Sequence, residues 1–207
     1  MSDDKALMQE ALALDGSGQT ALLASDPEGA RDDLRAAADK YRESWEAAGD
    51  GPGGRPRVGT AQGAEPTGPT AFGRLVGMLK ASILAGEGAT AAMYVHHAVG
   101  DDPQSPTSAY AVAIAALVAG DDARAGGFAE RMRAGGDAFA RTADAIVALA
   151  AGDEAAYAAA LQAIVDDFAA RDEHLTGVAI ADTALMLERL AEPRGLDSGV
   201  RSPLLPR

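Results

Sequence analysis

Ala113-Ile114-Ala115-Ala116-Leu117-Val118-Ala119-Gly120-Asp121 and Ala145-Ile146-Val147-Ala148-Leu149-Ala150-Ala151-Gly152-Asp153 are near copies of one another, 32 residues apart. A third step of the same kind, Leu84-Ala85-Gly86-Glu87, stands 34 residues before Gly120-Asp121. Glycine adopts the left-handed conformation that ends a helix, because it has no Cβ to clash. The acid that follows can accept hydrogen bonds from the free N–H groups that open the next helix. Each step therefore predicts two helices folded back on each other through a two-residue turn. Alanine on the facing surfaces lets the two axes approach closely.

The flanking segments carry the matching stripes. Phe72, Leu75, Val76, Leu79 and Ile83 recur at helical spacing before the first step, and Met93, Tyr94 and Val95 follow it up to about Val99. Asp102-Pro103 and Ser105-Pro106 separate that helix from one carrying Tyr110, Ile114, Leu117 and Val118. Phe128 and Met132 follow the second step, and Gly135-Gly136-Asp137 opens a helix with Phe139, Ala143 and Ile146. Tyr157, Leu161, Ile164 and Phe168 follow the third. A final helix is expected from about His174 to Glu192, apolar on most sides through Val178, Ala181, Leu185, Leu187 and Leu190, and stopped by Pro193 and Gly195.

Toward the N-terminus, Leu34, Ala37, Tyr41, Trp45 and Ala48 form one face of a helix. Asp26 as N-cap with Pro27 in the first turn, or Ser25 with Glu28 as a capping box, starts it, and Gly49 stops it. A shorter helix around Lys5 to Leu14 precedes it. From Asp50 to Pro69 half of the residues are Gly or Pro, which sustain neither helix nor ladder. The expected organisation is an N-terminal helical segment over 1–49 that packs on the rest, a loop or linker over 50–70, a helical-repeat domain over 71–192 and a C-terminal tail over 193–207. Deleting part of Gly51 to Gly68 is expected to leave stability nearly intact.

Composition bounds the rest. The chain has 207 residues, 49 of them Ala, with aromatics at 4% and no cysteine. A core so poor in large side chains requires closely packed helices, and the absence of cysteine excludes disulfides, thiolate nucleophiles and sulfur-ligated metals. The longest apolar run, Ala109 to Ala119, is well short of the roughly 20 residues of a membrane span and reads as a buried helix. The opening Met1-Ser2-Asp3-Asp4-Lys5 is acidic where a secretory signal is basic, so a cytoplasmic location is expected. A net charge of −13 disfavours nucleic acid and would steer basic partners to this surface.

A period near 34 resembles that of tetratricopeptide repeats over about Phe72 to Phe168. The small residue early in the second helix of each repeat is matched by Ala91 and Ala125 and replaced by Tyr157. The large residue four positions later is Val95 and Leu161, with Ala129 in the middle repeat. The resemblance implies an all-α fold of antiparallel hairpins stacked as a tetratricopeptide-like superhelix. The order of parts also resembles the immunity protein 49 family of polymorphic-toxin systems: helices ending at Tyr41 to Ala48, a Gly/Pro-rich insert, then the Leu149 to Asp153 turn. The closing stretch Leu185 to Ala191, Arg194-Gly195-Leu196 and Ser202-Pro203-Leu204-Leu205-Pro206 adds to it, with Leu204 where an aromatic is expected. That family implies a non-catalytic protein that neutralises a toxin by occluding it.

No constellation of residues carries chemistry, so no catalytic, cofactor-binding or metal-binding residue is assigned, and no partner-binding face. His96 and His97 are adjacent and point about 100° apart on a helix, which prevents joint metal chelation. His97 and Asp101 have the right spacing, but Gly100 ends the helix first. His174 follows Asp172-Glu173 at an expected helix start, where capping or solvent contact accounts for it. The pairs Asp101-Asp102, Asp121-Asp122, Asp153-Glu154 and Asp166-Asp167 lack the alternating spacing of a calcium loop and stand mostly where N-caps are needed. Arg124, Arg131, Arg133 and Arg141 form a small basic cluster that Glu130 and Asp137 are placed to neutralise. The function expected is binding of another protein, a toxin in the immunity reading. The alternatives are a cytosolic peptide-binding adaptor and, third, an enzyme or small-ligand carrier that uses a cavity between helices.

Overall fold

All three Gly-acid steps reverse the chain by the same hydrogen bonds. A computed structural model describes residues 3–50 and 71–206. Gly86, Gly120 and Gly152 have φ of 82°, 75° and 68°. In each turn the N–H of the acid reaches back to a carbonyl five residues earlier, Glu87 to Ser82, Asp121 to Ala116 and Asp153 to Ala148. The glycine N–H bonds the carbonyl three residues back. This is the Schellman closure, which satisfies carbonyls that the helix end leaves free. Asp121 and Asp153 then cap the next helix through the N–H groups of Arg124 and Ala156, at 3.2 and 3.0 Å. Glu87 makes no such bond; its carboxylate is held by Arg35 instead.

Among the described residues the fold is all-α: α1 (Asp3–Leu23), α2 (Pro27–Trp45), α3 (Ala71–Leu84), α4 (Gly88–Val99), α5 (Pro106–Ala119), α6 (Asp122–Met132), α7 (Asp137–Ala151), α8 (Glu154–Ala169) and α9 (Asp182–Ala191). Each helix from α1 to α8 packs on the next, and α3, α5 and α7 also touch in series. Helix α5 is central: every residue from Ser108 to Leu117 is buried, which is why its sequence has no polar face. The residues matched between repeats, Ala91, Val95, Ala125, Ala129, Tyr157 and Leu161, are all buried. Asp26 caps α2 through the N–H of Gly29, with Pro27 in the first turn, so the first of the two expected starts is the one found. Gly49, at φ 79°, closes that region.

Two expectations are corrected. Helix α1 runs nine residues beyond Leu14, through Gly16 and Gly18. These glycines are contact points, not breaks: a Cβ at Gly18 would stand 2.6 Å from the Leu34 side chain, and one at Gly16 would stand 2.9 Å from the Thr176 carbonyl. At the C-terminus, the helix expected from His174 begins only at Asp182. Gly177 takes φ 74°, which breaks helical continuity, and the side chain of Thr176 bonds Gln19 of α1. Residues 171–181 therefore cross the molecule as irregular chain before α9. The tail folds back, with the Ala181 N–H donating to the Leu204 carbonyl at 2.9 Å and Val200 and Leu205 buried. The expected linker, from residue 51 onward, lies outside the described residues, as does the expectation about its deletion. No described helix is long and apolar enough to cross a membrane.

Leu161 is fully buried in the α8 face. Leu161→Asp is expected to cost at least about 4 kcal/mol, because it strands a charge among packed helices. Gly127, in the middle of α6, is exposed and would meet nothing on gaining a Cβ. Gly127→Ala should stabilise by up to about 1 kcal/mol. Urea unfolding of both variants against the parent checks both signs.

Candidate functional site

The residues singled out by sequence fall into separate places. His96 and His97 are exposed, and it is His96, not His97, whose Nδ1 faces Asp101, at 3.7 Å. Asp101 is itself paired with Arg124, and Asp102 with Arg131 at 2.8 Å. Arg133 bridges Glu130 and Asp144, at 2.7 Å each, so the arginine cluster is a set of surface ion pairs. Asp121 and Asp153 cap helices, as described. Asp166 and Asp167 do not: they lie near the end of α8, where Asp166 accepts from Gln162 and Asp167 holds both Arg141 and Arg171. His174 caps no helix. Its ring stacks on Phe168, centroids 6.3 Å apart, and its Nδ1 is buried without a partner. Among the described residues, no three His, Asp or Glu side chains come together in a way that could hold a metal ion.

The structure instead assembles a polar seam where α1, α3 and α9 meet. Asp15 continues the buried Met8–Ala11 stripe of α1 and is 6% exposed. Its carboxylate accepts from the Tyr41 hydroxyl and from Gln19 Nε2, at 2.9 Å each, and Gln19 Oε1 accepts from the Thr176 hydroxyl at 2.5 Å. Nearby, Lys80 Nζ donates to Asp182 Oδ2 at 3.0 Å and to the Thr183 hydroxyl at 2.7 Å. Burial pushes the Asp15 carboxyl up to about 6, with the Asp182 charge adding to it. The Tyr41 bond, Lys80 and Gln19 pull the other way. For Lys80, burial disfavours the ammonium, but Asp182 and the other neighbours outweigh it and hold its pKa above the ordinary value. Tyr110 of α5 is buried, with its hydroxyl beside the Thr183 side chain and within the field of Lys80 and Asp182.

Below this seam lies a cavity of about 220 Å³. Lys80, Tyr110, Asp182 and Thr183 line its inner part; Arg141, Asp167, Arg171 and His174 line another part; and Phe139, Ile164, Phe168 and Val178 contribute apolar wall. A second concavity, of about 270 Å³, lies on the other side of α5. Its walls are Ala89, Ala92 and Met93 of α4 and Phe128 of α6, with Ala115 and Ala116 of α5 between them. Met93 is 67% exposed there. Comparison with protein-family models, with curated proteins and with solved structures finds no match for this chain.

The sequence reading passed over Asp15, Gln19, Lys80, Tyr110, Asp182 and Thr183. Two of them carried a signal. Asp15 falls four residues after Ala11 on an apolar stripe, and Lys80, one of three lysines, interrupts the run Met78-Leu79-Lys80-Ala81. An ionisable residue on a buried face requires a partner.

Asp15 generates a pH prediction. Its carboxyl titrates near 3.8 unfolded and about 6 folded, so between these values the folded state binds more protons and stability falls as pH rises. Above pH 6 the deficit reaches its limit, about 2–3 kcal/mol. Asp15→Asn removes that titration. Relative to the parent, its unfolding free energy should improve between about pH 4.5 and 7.5 by up to roughly 2 kcal/mol; parallel curves would show that burial does not raise this group. Tyr110→Phe removes a buried hydroxyl that has at most one weak partner, Thr183, and should change stability by less than about 1 kcal/mol. A loss above that in thermal or urea unfolding would mean the hydroxyl is firmly bonded.

Proposed function

We propose that this chain is a non-catalytic binding protein of the cytoplasm that neutralises a basic protein toxin by covering it, in the manner implied by its resemblance to immunity protein 49. The observation that carries this reading is the apolar groove between α4 and α6. Its floor and walls are alanine and valine, Met93 stands 67% exposed on its edge, and Phe128 lies in its side. A large flexible apolar side chain in water beside a preformed recess is a docking feature, because methionine adapts to the partner it meets. Its polar rim is His96, Asp121 and Arg124; Arg124 is claimed by Asp101 and Asp121, with its guanidinium 5.4 Å from the Phe128 ring, so the rim offers no free positive charge. Together with the net charge of −13, this favours a cationic partner that places one apolar side chain in the groove.

The peptide-adaptor alternative needs an open face along the first helices of the hairpins. Helix α9 lies against α3 and α7 there, and seven of its ten residues are buried. The outer groove is the better-supported surface.

Co-expression with toxic effectors encoded beside the gene tests the reading. A protective interaction and a stable complex are expected with one of them. Met93→Glu should weaken that complex about 100-fold, as loss of a central apolar anchor does, and leave the melting temperature unchanged. Absence of protection and of any complex, or a Met93→Glu variant that binds as the parent does, would refute it.

A further inference from the structure

The cavity beneath α9 is independent of the α4/α6 groove and has the features of a built small-molecule site. It contains about 220 Å³ of free space, and a cavity of about 150 Å³ holds benzene, so there is room for one six-membered ring and a substituent. Three aromatic side chains line it, Tyr110, Phe139 and Phe168. Tyr110 and Phe139 meet edge to face, at 6.1 Å and 81°. One buried polar atom on a lining residue has no partner, His174 Nδ1, and the buried Tyr110 hydroxyl has only Thr183 beside it as a side-chain hydrogen-bonding group. Buried polar atoms are nearly always bonded, and a few placed polar groups in an otherwise apolar wall are what a ligand pocket offers.

Charge decides the class of ligand. The lining carries Lys80, Arg141 and Arg171 against Asp167 and Asp182, one positive charge in excess, inside a protein of net charge −13. The excess is not at Lys80, which is matched by Asp182. It lies where a single carboxylate, Asp167, serves two guanidiniums. Arg171 also lies over the Phe168 ring, 3.8 Å from its centroid, and His174 stacks on the same ring. An anionic group meets unmatched positive charge at Arg141 and Arg171, whereas at the Lys80 part it would face Asp182, with Asp15 close behind.

We propose that this cavity binds a monocyclic aromatic carboxylate of about benzoate size, its ring against Phe139, Ile164 and Phe168 and its carboxylate on Arg141 and Arg171. Such a ligand fills the apolar volume with a flat ring and neutralises the one unmatched cation, and it brings oxygen acceptors to the guanidinium N–H groups that Asp167 leaves free.

The test is a titration of the full chain with benzoate, benzyl alcohol and benzylamine, followed by amide chemical shifts in two-dimensional NMR at low salt. Benzoate should give saturable shifts at Thr142, Phe168 and Thr183 below about 10 mM, and benzylamine none. Arg171→Gln, on an exposed side chain at the end of α8, should lower benzoate affinity about tenfold without changing that for benzyl alcohol. Arg141→Gln should act in the same direction, and Met93→Glu should have no effect. No saturable shift with benzoate, equal binding of benzylamine, or benzoate affinity unchanged in both arginine variants would overturn the proposal.

Discussion

An alanine methyl buries so little surface that a core made largely of alanine holds together only where helix axes come close enough for backbone and Cβ atoms to touch across the interface. That constraint runs through this molecule. Of the twelve largest fully buried side chains, only Trp45, Tyr41 and Tyr157 are aromatic; the others are Leu, Ile and Met. Glycines on the facing helices close in on these large side chains. Gly77 of α3 lies so close to Tyr41 that a Cβ there would stand 2.7 Å from the ring, and Gly18 lies as near to Leu34. Dispersion between closely spaced atoms replaces the large transfer energies of aromatic cores, so any change that separates two axes removes many small contacts at once.

Close approach requires tight reversals, and these are what the sequence displays most openly. A two-residue turn leaves no slack, so the second helix must lie along the first. The left-handed glycine closes the carbonyls of one helix end in all three turns, and at Asp121 and Asp153 the acid also caps the N–H groups of the next start. The three such turns place α3, α5 and α7 in series with α4, α6 and α8 beside them. Helix α5 is covered by neighbours on both sides along its length, and its uninterrupted apolar sequence follows from that position.

The boundaries of α3 to α8 were legible because glycine, proline and capping side chains mark helix ends by local chemistry alone. The errors arose where long-range contacts decide. The first helix was expected only to about Leu14, but packing of Gly16 against Thr176 and of Gly18 against Leu34 makes these glycines interior positions of α1. Val178, Ile180 and Ala181 have the apolarity of a helix, but residues 171–181 are held in irregular form by Gly177 and by the Thr176–Gln19 bond, whose partner lies 157 residues away. The same limit applies to the candidate site. Asp15, Lys80, Tyr110 and Asp182 come from four helices, and no spacing along the chain announces their meeting. The caps at Asp121 and Asp153 and the Arg133–Glu130 pair are local, and these were readable; Arg124 and Arg131 instead find Asp101 and Asp102, 23 and 29 residues away, where Asp137 had been expected to serve the cluster.

The polar seam answers a problem that an alanine core creates for itself. Surfaces made of one small residue are nearly degenerate: sliding a helix by one turn replaces alanine with alanine and loses little. Helix α9 has to choose one position for Leu185, Met186, Leu187 and Leu190 against α3, α7 and α8, whose alanine-rich surfaces do not discriminate strongly between neighbouring registers. Its polar contacts do. Asp182 meets Lys80 of α3, Glu188 accepts from Tyr157 of α8 at 3.3 Å, and Arg194, just beyond α9, donates to the Leu117 carbonyl at 2.7 Å and to Asp122 at 3.1 Å. A slip would leave Lys80 buried without its carboxylate, a cost of about 3–5 kcal/mol for breaking a buried pair, greater than the packing difference between neighbouring registers. Apolar burial holds α9 on the molecule, and these charges fix where it sits; the cavity wall formed by Asp182, Thr183 and the chain before them inherits its geometry from that choice.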